Sequence, residues 1–114
     1  IVLDGCGVKN AGDRGIFATR SSTINANDAD ASGAGSYGIC AYHSSTINAN
    51  GADASGAGSY GICAANGSLI NADGANASGT SIRVTNGSLI NAIGATGTLS
   101  QAKNTLTANG IIFQ

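Results

Sequence analysis

Asp28, Asp30 and Asp53 are the side chains whose type and spacing could carry out chemistry. Asp30 and Asp53 occupy equivalent places in NANDADASGAGSYGI and NANGADASGAGSYGI, 23 positions apart, and Asp28 lies two residues before Asp30. Glycoside cleavage uses two carboxyl groups, about 5–5.5 Å apart in retaining enzymes and about 6.5–9.5 Å apart in inverting ones. If the two segments stack as neighbouring strands, about 4.8 Å separates equivalent residues, a conceivable retaining distance. The pattern does not persist, however. Asn76 and Thr96 continue the Asp30 column, Gly51 and Gly74 replace Asp28, and the sequence has no Glu. Solvated polar strand ends beside turns are the plainer reading of all three.

Tyr37, Tyr42 and Tyr60 are the candidates for binding, because tyrosine rings can stack on sugar rings. Tyr37 and Tyr60 are again 23 apart, so the simpler expectation is that they stack on each other. Phe17, Cys40 and Cys63 share one column at that spacing. Alternation within GICAY places the column outside, where exposed contiguous apolar surface marks an interface. A subunit contact is the leading expectation for it, ahead of a carbohydrate platform or a covering loop. Cys40 and Cys63 come near enough for a bridge, but in-register neighbours rarely present the required dihedral, so thiols are expected. His43 is the only histidine. It completes no triad and has no carboxylate at a ligand offset, and no phosphate loop or nucleotide fingerprint occurs. No metal and no cofactor are expected.

Composition narrows the classes further. The 114 residues carry 10% charged side chains and a net charge of −1. Nothing in them would track a phosphate backbone, so nucleic acid is not an expected partner. No apolar run approaches the roughly 20 residues of a membrane span, and no membrane partner is expected. The three cysteines, Cys6, Cys40 and Cys63, form neither a disulfide framework nor a zinc spacing, and free thiols point to assembly in a reducing compartment. With no Met, the sequence reads as a piece of a longer product.

The elements that must position these residues are repeats. Ile39 and Ile62, Cys40 and Cys63, and Ile47 and Ile70 are each 23 apart, a period that marks a solenoid of stacked coils. Coils are expected at 1–14, 15–37, 38–60, 61–80 and 81–96. The first, with the bulkier Val2, Leu3 and Val8, is the later part of a coil. The step from Ile70 to Ile90 is 20, because SGAGSY has shrunk to SGT, which makes that segment a corner loop. Each coil reads as three short strands. Ile39 and Ala41, Ile47 and Ala49, and Ala52 and Ala54 point inward, while Asn25, Asn48, Asn71 and Asn91 form an outer amide column. Asn50-Gly51, Asn66-Gly67, Asp73-Gly74 and Asn86-Gly87 mark turns. Residues 97–104 break the pattern and Asn109-Gly110 restores it one period after Asn86-Gly87. The segment 97–114 is therefore expected to cap the stack or to contact another chain through Ile111, Ile112 and Phe113. The fold class is all-β, a parallel β-helix of about 23 residues per coil. Coils of 20–25 residues with uneven corners favour the right-handed form over left-handed six-residue-repeat coils of about 18 residues.

Tyr37-Gly38-Ile39, Ser45-Thr46-Ile47-Asn48-Ala49-Asn50-Gly51-Ala52-Asp53-Ala54 and Ser55-Gly56-Ala57-Gly58-Ser59 carry a resemblance to the pectate-lyase-like β-helical repeats of bacteriophage tailspikes and tail fibres. The resemblance covers residues 15–96 well and the tail poorly. It implies a homotrimer of parallel chains in the virion tail, assembled in the host cytoplasm, that contacts or cleaves bacterial surface polysaccharide. A structural and interaction module is the leading expectation. A fragment of a polysaccharide depolymerase is the second. The third is an ice-binding or adhesin solenoid, which needs a regular threonine array, whereas the column here runs Thr23, Thr46, Leu69, Leu89.

Overall fold

The computed structural model describes residues 1–2, 5–104, 107 and 109–114. Five strands, β1 (Arg14–Ala18), β3 (Tyr37–Ala41), β5 (Tyr60–Ala64), β7 (Asn76–Val84) and β9 (Thr96–Leu99), build one sheet in that order. The strands between them, β2 (Thr23–Asn25), β4 (Thr46–Asn48), β6 (Leu69–Asn71), β8 (Ser88–Asn91) and β10 (Gly110–Phe113), build a second. Every pairing between these strands is parallel, so the chain alternates between the sheets and climbs one rung per coil. This is a parallel β-solenoid, with no helix among the described residues.

The isoleucine register sets the stack. Ile16, Ile39, Ile62 and Ile82 pair rung to rung in the first sheet, and Ile24, Ile47, Ile70, Ile90 and Ile112 in the second. All are buried, and alanines from both sheets and the third side fill the space between them. A period-two strand sends alternate residues inward, and small side chains fill the remaining inner places of this narrow coil, Ala in nearly all of them and Val84 above Ala64. Val8 packs against this core, Val2 is exposed, and Leu3 lies outside the described residues.

The third side differs from expectation. ADA forms no strand in the lower coils; Gly7, Asp30, Asp53 and Asn76 are joined only by single parallel bridges. The backbone bends on both sides of each aspartate. Ala52 N–H closes a turn onto Ala49 O (3.2 Å), and Ser55 N–H donates to the Asp53 carboxylate (2.9 Å). One residue per coil is left free to pair. Where the corner loop has shrunk to SGT, β7 runs through nine residues and takes the corner within the strand, at Gly79 (φ 72°) and a register shift between Asn76 and Ser81. The longer loops below it stack on one another, with Gly58 N–H donating to Ala34 O (3.0 Å) and both Ala34 and Ala57 buried.

The C-terminal segment also needs correction. Residues 97–104 do not simply break the pattern, since Thr98 and Leu99 of β9 pair with Ser81 and Ile82. Residues 110–113 form the last strand of the second sheet, with Ile112 inside the core beside Ile90. Gly110 stands opposite Ser88, so Asn109-Gly110 sits one residue out of step with Asn86-Gly87. Bringing Ile112 over Ile90 decides that register, because a one-residue slip would turn the isoleucine outward.

Candidate functional site

Two of the three candidate carboxylates, Asp30 and Asp53, fall in one column, as their spacing implied, and their surroundings explain them structurally. Asp30 and Asp53 are bridge partners on adjacent rungs. Asp30 accepts from Ser32 N–H (3.1 Å) and from the Ser32 hydroxyl (2.6 Å), and its other oxygen meets Lys9 Nζ at 3.0 Å. The Ser32 donors, with Lys9 beside them, lower the Asp30 carboxyl to about 2. The Lys9 ammonium is in turn raised by the same contact. Asp53 receives Ser55 N–H and the Asn76 amide (3.3 Å), and Asn76 receives Ser78 N–H (3.0 Å) and the Thr96 hydroxyl (2.9 Å). Asp30, Asp53 and Asn76 thus each tie a bend, and Asp53, Asn76 and Thr96 are linked side chain to side chain from rung to rung. Asp28 belongs to a different place. Its φ of 55° matches the left-handed backbone of Gly51, Gly74 and Gly94 above it, so it occupies a turn that prefers glycine.

The outer surface of the first sheet gathers most of the aromatic residues. Tyr37 and Tyr60 stack with centroids 5.9 Å apart and planes 8° from parallel. Arg83 caps this pair, its guanidinium 4.7 Å from the Tyr60 ring centre and its Nη1 donating to the Tyr60 hydroxyl at 2.7 Å. Arg14 lies at the other end, 5.8 Å from the Tyr37 ring and 4.3 Å from that of Phe17. Tyr42 packs obliquely on Phe17, with ring centres 5.7 Å apart. His43 lies beside Tyr42 and exchanges a hydrogen bond with Thr19 through Nδ1 (3.0 Å).

Phe17, Cys40, Cys63 and Arg83 do form one outward column. The expectation that its cysteines are exposed is corrected: Cys40 is 0% and Cys63 2% accessible, although neither belongs to the central core. Tyr42 lies against both sulfurs, and Arg14 and Arg83 flank them. Tyr42 and Arg14 from adjoining columns, and Arg83 from the next rung of the same column, close the two cysteines off. The neighbouring Cys63 thiol and burial push Cys40 up, whereas Cys40, with Arg83 and Tyr42, pulls Cys63 down against the effect of its burial. Burial, with the cysteines below it, likewise raises the Tyr42 hydroxyl. Cys6 is exposed, and all three cysteines are free.

One feature escaped the sequence reading. Ser45, Ser68 and Ser88 are buried, and each hydroxyl accepts the backbone N–H of the serine one rung below: Ser22 to Ser45 (3.2 Å), Ser45 to Ser68 (3.2 Å) and Ser68 to Ser88 (3.1 Å). Its signal was the Ser that opens every STIN and SLIN. The amide column beside it is partly joined, with Asn71 donating to Asn48 at 2.8 Å. It ends at Asn91, whose Oδ1 is buried with no donor, since Phe113 takes the next rung. A polar notch of about 420 Å³ opens at the shortened corner, lined by Ser78, Gly79, Thr80, Ser81, Gly97 and Thr98.

No protein family, curated protein or solved structure matches this chain. Its chemistry has to be read from the geometry above. Among the described residues no group of His, Cys, Asp or Glu is arranged to hold a metal ion, and no helix is long and apolar enough to cross a membrane.

Proposed function

We propose that this chain is a structural and interaction module, a β-helical segment of a bacteriophage tailspike or tail fibre. In this reading the coil is right-handed and three parallel copies associate in the virion tail, after assembly in the host cytoplasm. The rod supports attachment to bacterial surface polysaccharide. The observation that carries the reading is the in-register stack of two five-stranded parallel sheets. Such a ladder resists bending along its whole length, because every rung hydrogen bonds the next. The repeat residues that resemble tailspike β-helices, Ser45 to Ser59, lie within this stack. The Tyr37–Tyr60 corner, half-buried and edged by Arg14 and Arg83, carries tyrosine hydroxyls and guanidinium donors of the kind that hydrogen bond sugar hydroxyls.

The depolymerase reading is weaker on the same geometry. A glycosidase needs one carboxyl group raised enough to donate a proton, and Asp30 is lowered. The ice-binding reading loses its array, as the column runs Thr23, Thr46, Leu69, Leu89, Ile111. The test is to incubate the chain with capsular and O-antigen polysaccharides, measuring both retention of the protein and release of reducing ends. Retention without release is the expected result. Release of reducing ends would establish the depolymerase, and no retention on any polysaccharide would remove the attachment role.

A further inference from the structure

Asn-Gly steps occur four times, at Asn50-Gly51, Asn66-Gly67, Asn86-Gly87 and Asn109-Gly110. Such a step carries a latent reaction, because glycine has no Cβ to shield its backbone nitrogen from the carboxamide before it. The nitrogen reaches the asparagine Cγ only if the peptide plane between the two residues turns. In a stacked coil that plane is held by the hydrogen bonds of its N–H and its C=O. Three of the four planes are held at both ends. Gly51 N–H donates to Asp73 O (2.8 Å) while Asn50 O accepts Asp28 N–H (2.8 Å). Gly67 N–H donates to Asn86 O (3.0 Å) while Asn66 O accepts Ser44 N–H (3.0 Å). Gly110 N–H donates to Thr107 O (3.0 Å) while Asn109 O accepts Ser88 N–H (3.2 Å), and Gly110 is buried.

The Asn86–Gly87 plane is held at one end only. Asn86 O accepts Gly67 N–H, but Gly87 N–H has no acceptor among the described residues. The one-residue slip of the last coil accounts for this. In step, the Asn109 carbonyl would take Gly87 N–H; out of step, it takes Ser88 N–H. Side-chain ties do not reverse the order, since Asn86 Nδ2 donates to Asn66 Oδ1 (2.7 Å) and Asn50 Oδ1 accepts Asp73 N–H (3.0 Å). Asn86 and Gly87 are both exposed, so water reaches the turn. We propose that Asn86-Gly87 is a self-modification site, where the folded chain deamidates ahead of its other Asn-Gly steps with water as co-reactant. Gly87 N gives its proton to solvent and bonds Asn86 Cγ. The Cγ–Nδ2 bond breaks, and the amide nitrogen takes a proton from solvent and leaves as ammonia. Water then opens the cyclic imide at either carbonyl, giving aspartate or, where the backbone carbonyl is attacked, isoaspartate. Either product adds one negative charge to the formal −1 of the chain. The tie to Asn66 goes with the departing nitrogen, and in isoaspartate the backbone between β7 and β8 lengthens by one carbon.

The experiment is to age the 114-residue chain at mildly alkaline pH in heavy-oxygen water, with a second sample in urea. Samples are digested at intervals, and each Asn-Gly step is followed by fragment-ion mass spectrometry. Expected in the folded chain is conversion at Asn86 roughly tenfold faster than at Asn50, Asn66 or Asn109, the penalty for first breaking one more backbone hydrogen bond. Each converted residue should carry one heavy oxygen. In urea the four steps should convert at similar rates, because glycine follows every one of these asparagines. Asn86→Gly, which suits the φ of 51° at this turn, should stay folded and lose the new acidic species on isoelectric focusing. Fastest conversion at any other step of the folded chain overturns the proposal. So does an unconverted Asn86 once the urea sample has reacted, or the same ranking of the four steps in both samples.

Discussion

The Tyr60 ring lies 5.9 Å from that of Tyr37, 8° from parallel, while its other face carries the Arg83 guanidinium at 4.7 Å. Parallel in-register pairing puts equivalent residues one strand spacing apart, and the rings lean into an offset stack to fill it. Aromatic pairs are worth about 0.5–1.5 kcal/mol beyond the area they bury. A double-mutant cycle with Tyr37→Leu and Tyr60→Leu, followed by urea unfolding, should return a coupling energy of about that size. Strict additivity would show that the stack contributes nothing of its own.

The serine ladder should matter more than the exposed polar columns. Ser68→Ala removes the acceptor of the buried Ser45 N–H, and an unsatisfied buried donor costs about 1–3 kcal/mol. Ser22 is exposed, and no rung of this ladder lies below it in the described residues, so Ser22→Ala should cost clearly less. Urea midpoints of the two variants check this. Equal losses would mean that the hydroxyls, not their burial, set the effect.

The contrast between isoleucines and cysteines shows what the sequence makes legible. Ile39 and Ile62 could be placed inside because a period of 23, combined with alternation, fixes which way a residue points. Cys40 and Cys63 were correctly pointed outward by the same logic, yet alternation says nothing of what lies over an outer residue. Tyr42 and Arg14 reach across from neighbouring columns and Arg83 closes the same column one rung above Cys63, and that depends on rotamers rather than register. The aspartate column was found at the right spacing, while its role was decided by Ser32 and Ser55 two residues on. The register of Gly110 was missed by one, because turn lengths respond to the demand that Ile112 meet Ile90.

Burial of the two cysteines has a direct chemical consequence. Thiolate, not thiol, attacks alkylating agents, and burial keeps the reagent from both sulfurs, Cys63 included although its thiol is pulled down. In native protein, iodoacetamide should modify Cys6 promptly and spare Cys40 and Cys63, with all three reacting in denaturant. Mass spectrometry of digested samples reads this out. Prompt labelling of Cys63 would mean that Tyr42 and Arg83 do not cover it.

Asp30 gives the clearest pH test. Its carboxyl is lowered to about 2 from the ordinary 3.8, so the folded state holds the charged form more tightly than the unfolded chain does. The sign follows: the stability contributed by this group is fully present above about pH 4 and is lost as pH falls through about 2. Carboxyl carbon NMR should place the Asp30 titration near 2, and Ser32→Ala, which deletes the largest cause, should move it up toward 3.8. An unmoved titration in that variant would assign the shift to the backbone N–H of residue 32 and to Lys9 instead. A group ionised down to such acidity cannot serve as a general acid near neutral pH, where catalysis needs a proton to give. Asp30→Asn should therefore leave polysaccharide retention unchanged and abolish only this acid-range loss of stability.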